Sequence, residues 1–134
     1  MRKLPKSKSK LLKLVIQEIE KVEKSDKYHI HIGCWVKITE DGIAMCASGV
    51  LMNWLLDGKI SQLKLDRIVP TLFEKKIDNQ LNFVNDVVTN IEEGKAAFYA
   101  SYEDSPKKFK KYLKKLVKYY KKRPDLDYDQ DWYY

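Results

Sequence analysis

Between Ser9 and Lys24 the apolar side chains Leu12, Val15, Ile16, Ile19 and Val22 recur at steps of three and four. That spacing gathers them on one stripe of a helix, with Lys13, Gln17, Glu20, Lys21 and Lys24 on the solvated side and Ser9 as the N-cap. The period changes at Tyr28. From there Tyr28, Ile30, Ile32, Cys34, Val36 and Ile38 alternate with His29, His31, Gly33, Trp35 and Lys37, the period of a strand. Glu40, Asp41 and Gly42 form a turn. Residues 43–56 are apolar on every side and predict a central buried helix, closed by Asp57 and Gly58. Within it, Ala47, Ser48 and Gly49 are small enough for a neighbouring backbone to come close.

Residues 59–76 show no clear period, and Pro70 interrupts them. Asp78 to Glu93 returns to the helical pattern with Leu81, Val84, Val88 and Ile91 on one side, and Gly94 is the stop. Lys95 to Tyr102 predicts a short further helix. Ser105 followed by Pro106 is a strong helix start, a cap and then proline at the first position. The stripe of that last helix is Phe109, Tyr112, Leu113, Leu116, Val117 and Tyr120, and Pro124 ends it.

These elements predict a mainly α, single-domain bundle of about five helices around the 43–56 segment, with one extended strand near residues 28–38. A lone strand cannot satisfy its own edges, so it either pairs across a homodimer or lies as an extended loop on the helices. A basic arm (residues 1–8, expected mobile), a helical domain (9–123) and an acidic, aromatic tail (124–134) make up the chain. At 134 residues there is room for one modest core, and sixteen aromatic side chains argue against overall disorder.

Charge alters this picture. From Ser105 to Arg123 there are nine lysines and one arginine without an acid; from Pro124 to Tyr134 there are four aspartates without a base. Residues 14–104 are acidic on balance, so the net charge of +7 comes from the two basic segments. A surface that needs only solubility would mix the signs; sorting them points to a charged partner. The candidate binding residues are Lys107, Lys108, Lys111, Lys114, Lys115, Lys118 and Lys122 for phosphate contacts, with Trp132, Tyr133 and Tyr134 on the tail. Lysine in place of arginine favours diffuse charge over bidentate base reading. The plain alternative is an amphipathic helix whose lysines only face water. The tail could fold back over the lysines, dock in a partner, or be a disordered end.

Other chemistry is thinner. His29, His31, Cys34 and Cys46 are nitrogen and sulfur donors, but their spacing fits no familiar zinc site, and no metal or cofactor is expected. A Cys–His pair exists on paper, yet an apolar setting would raise the Cys46 thiol and silence it. The glycines are scattered and form no phosphate loop. The expectation is a non-enzymatic, reduced, cytoplasmic protein with no membrane span.

Three stretches carry a resemblance: Tyr28 to Trp35 (an extended segment ending in tryptophan), Met45 to Met52 (a Cys-x-x-Gly apolar segment), and Leu81 to Asp86 running on to Gly94. Together they make residues 28–98 similar to a loose group of small uncharacterised phage and prophage accessory proteins. The resemblance implies a viral accessory factor, acting in the host cytoplasm by binding and modulating a host protein such as a defence or nucleic-acid-processing enzyme. It carries over no catalytic residue. The alternative expectation is a nonspecific nucleic-acid-binding protein using the basic helix 105–123.

Overall fold

Ser7, two residues earlier than the expected Ser9, caps the first helix: its hydroxyl accepts the Lys10 amide, and α1 runs Lys8–Glu23. The structure is a computed structural model, described over residues 1–65, 67–92 and 101–128 (backbone alone at 92). The stripe of α1 is buried as its spacing requires, joined by Leu11, while Lys13, Gln17, Glu20, Lys21 and Lys24 face water.

The extended region corrects the expectation of one strand. It holds β1 (Tyr28–Ile30) and β2 (Val36–Thr39), interrupted around Gly33, whose φ of +153° suits glycine. Glu40 and Asp41 then turn the chain into β3 (Gly42–Met45), and a fourth strand, β4 (Arg67–Ile68), comes from the ambiguous 59–76 region. The sheet order is β1-β3-β2-β4, with β1 parallel to β3 and the other pairs antiparallel. The central strands thus find partners within one chain, so a lone strand waiting for a second copy does not arise.

The same finding shortens the predicted central helix. Ile43 and Met45 are buried while Gly42 and Ala44 are half-buried, a period of two, and only Ala47–Leu55 is helical (α2). An apolar run reads alike as buried strand or buried helix, because periodicity vanishes when every side is covered. The close approach expected near Gly49 is present: a β-carbon there would lie 2.0 Å from the Trp35 carbonyl oxygen. That carbonyl also accepts the Cys46 amide at 3.1 Å, so α2 starts hard against the beginning of β2.

After two 3-10 turns (Ile60–Leu63 and Pro70–Leu72), α3 spans Lys75–Glu92 and buries Leu81, Val84, Val88 and Ile91. The predicted stop at Gly94 and most of the short helix after it fall outside the described residues. Ser105 caps α4 (Pro106–Lys121) by accepting the Lys108 amide, and Phe109 and Leu113 are fully covered. Pro124 ends that helix and opens the one-turn α5 (Pro124–Asp127). The core gathers one face each of α1, α3 and α4 around α2, with Val36, Ile43, Met45 and Ile68 from the sheet. Helix dominates the described residues, and none of these helices is long and apolar enough to cross a membrane.

Candidate functional site

Helices α1 and α4 run antiparallel. Glu23 at the end of α1 accepts Lys110 near the start of α4 at 2.7 Å, and Lys8 at the other end lies over the Tyr120 ring, 5.6 Å from its centre. Tyr102 also donates to Glu23 at 2.7 Å. Burial raises the Glu23 carboxyl, but these two donors and the lysine charge outweigh it and hold the group below its ordinary value. Lys110 is therefore the lysine of α4 that belongs to the packing.

The others face out. Lys107, Lys108, Lys111, Lys114, Lys115, Lys118 and Lys122 are all exposed, as is Lys121. At 100° per residue they occupy a sector of about 140°, opposite Phe109 and Leu113. Among the described residues no carboxylate lies within ion-pair distance of Lys107, Lys108, Lys111, Lys114, Lys118 or Lys122. Trp132, Tyr133 and Tyr134 lie outside the described residues.

The first turn of the acidic segment is placed against the start of α1. Asp127 is buried at the start of α1, accepting the Ser9 amide at 2.7 Å and the Ser7 and Ser9 hydroxyls at 2.9 and 3.0 Å. A carboxylate at a helix N-terminus answers both the unpaired amides and the positive end of the helix dipole. Here it is delivered from the far end of the chain. The arm at residues 1–8 is also laid on the body: Leu4 is buried, Gln80 donates to the Pro5 carbonyl at 2.9 Å, and Arg2 pairs with Asp57 and lies over Trp54.

Between α1 and α4, next to Asp127, is a groove of about 790 Å³. The buried Ile16 and half-buried Val117, with Pro124 and Tyr128, are its apolar lining, Lys10, Lys13, Lys114, Lys118 and Lys121 its exposed cations, and Glu20 the second carboxylate beside Asp127. Sequence reasoning found Lys114 and Lys118 but missed Lys10, Lys13 and Lys121. Lys13 was visible as a solvated position of α1; nothing in the pattern said which helix lay beside it.

The thiols sit elsewhere. A smaller cavity of about 290 Å³ is lined by Cys34, Trp35, Cys46, Ser48, Asn85 and Thr89, among others. Cys46 is the N-cap of α2, its sulfur accepting the Gly49 amide at 3.4 Å. A helix N-terminus ordinarily lowers a thiol. Burial wins here, lifting Cys46 to about 11 against the amides of Gly49 and Ser48. Burial also raises Cys34, against the charges of Lys37 and Arg67. His29 and His31 are exposed, and among the described residues no three of His, Cys, Asp or Glu converge in a metal-binding group. Neither a family model, nor a curated protein, nor a solved structure matches this chain.

Proposed function

We propose that this is a non-enzymatic binding protein whose lysine face on α4 holds a polyanion, in the first place a nucleic-acid backbone. One observation carries the reading: Lys107, Lys108, Lys111, Lys114, Lys118 and Lys122 share one exposed sector without a carboxylate partner among the described residues. Folding does not require this, since alternating signs on the same sector would leave the buried stripe intact and reduce self-repulsion. Lysines spaced along a helix meet phosphates as point charges, which gives affinity without sequence preference. The raised thiols speak against cysteine nucleophilic chemistry, because a thiol held neutral is a poor nucleophile.

The test is fluorescence anisotropy of the full chain with labelled DNA and RNA. Affinity should fall about 10³-fold or more between roughly 50 and 200 mM salt, as six or more phosphate contacts require. The triple variant Lys107→Glu, Lys111→Glu, Lys118→Glu should bind at least about tenfold more weakly at low salt. Absence of binding at low salt, or an unchanged triple variant, would overturn the reading.

A second reading has its own observation. Leu63, Leu65, Val69 and Leu72 are exposed large apolar side chains flanking β4, which is an edge strand of the sheet. Apolar side chains beside an open strand edge suit a protein partner. This is the surface on which a phage-type accessory factor would engage a host protein.

A further inference from the structure

We infer that the groove between α1 and α4 is a docking site for an acidic peptide segment with large apolar side chains set between its carboxylates. The inference goes beyond nucleic-acid binding, and either can fail alone.

The floor and the rim of the groove ask for different things. The half-buried Val117 presents aliphatic surface over the buried Ile16, extended by the stems of the neighbouring lysines. Lys10, Lys13, Lys114, Lys118 and Lys121 put five cations around that floor, and none is ion-paired among the described residues. Of the two lining carboxylates, Asp127 is already occupied by three hydrogen bonds from Ser7 and Ser9, which leaves Glu20. The surplus of positive charge over an apolar floor selects a ligand that is both acidic and greasy.

A nucleic-acid strand meets only half of that demand. Bases seek flat aromatic faces, and the lining offers one aromatic ring, Tyr128. A channel between two antiparallel helices is instead the usual seat of an amphipathic peptide, with apolar anchors on the floor and charges on the rim. At about 790 Å³ the groove has room for several such anchors. Lys114 and Lys118 also belong to the lysine face, so a docked acidic segment would compete with a polyanion for them.

The probe is a fluorescein-labelled synthetic peptide with Asp at alternate positions and Leu, Trp and Tyr between them, titrated with the full chain. Saturable binding below about 100 μM is expected. Two matched peptides separate the contributions: Asp→Asn at every acid, and Ser at every apolar position. Each should bind at least about tenfold more weakly. The rim variant Lys13→Glu, Lys114→Glu, Lys121→Glu should lose a similar factor while keeping its thermal unfolding midpoint. The double variant Lys75→Glu, Lys76→Glu, at the exposed start of α3, should change binding less than about twofold. If both charge variants weaken binding alike, or the serine peptide binds as well as the parent, only diffuse attraction is at work and the inference is overturned. It is equally overturned if no peptide saturates.

Discussion

The start of α2 and the outer face of α4 treat the same problem in opposite ways. At the start of α2 everything is enclosed: Gly49 lies under the Trp35 carbonyl, Ser48 donates to the Leu81 carbonyl at 2.7 Å, and the Cys46 thiol is buried and held neutral. On the outer face of α4 the charges are left out, eight exposed lysines opposite a stripe that buries Phe109 and Leu113. In the first region each atom answers to a neighbour, so identity is dictated by packing. In the second the fold asks only for a helix former that tolerates water, so packing does not dictate lysine at these positions.

The contrast can be broken most sharply at Gly49. In a solvated helix Gly→Ala stabilises by about 1 kcal/mol. At this site the added carbon would meet backbone, which cannot rotate away, so Gly49→Ala should destabilise by about 3 kcal/mol or more, read by urea or thermal unfolding. A stable Gly49→Ala chain would mean that α2 is not seated on β2 as described. The next largest effect is expected at Asp127. Asp127→Ala strands the Ser9 amide and two buried hydroxyls and should cost about 1–3 kcal/mol, with hydrogen exchange accelerated first at the start of α1. The smallest belongs to the lysine face. Lys107→Gln, Lys111→Gln and Lys118→Gln should each move stability by less than about 0.5 kcal/mol, measured in the same unfolding assay. A large loss from any of them would place that lysine in the packing alongside Lys110.

The helices were legible because each keeps a dry stripe and a wet one. The spacing of Leu12 to Val22, of Leu81 to Ile91 and of Phe109 to Tyr120 located α1, α3 and α4, and the Ser105-Pro106 pair marked a cap that forms as read. The small residues around Gly49 signalled a close approach before its partner was known. The sheet was legible only in part: β1 and β2 lie within the alternating 28–38 segment, read there as one strand, while β4 is two residues long, too short for alternation to stand out, and β3 is fused to a helix that is apolar on all sides. Of the site, the lysine face could be read from one helix alone. The groove could not, because it exists only once Lys10 and Lys13 of α1 are brought beside α4 by contacts that span most of the chain.

The hydrogen bonds from Ser9 to Asp127 have a consequence for how the molecule is made. The cap of the first helix is held by a residue 118 positions later. At about 5–20 residues per second, synthesis leaves that helix end open for roughly 6–24 s, before any time needed to clear the ribosome. Through that interval α1 has the Ser7 hydroxyl for a cap and lacks its buried carboxylate. A chain stopped anywhere before Asp127 never acquires it, so a truncated product carries a weakened first helix for proteases to find.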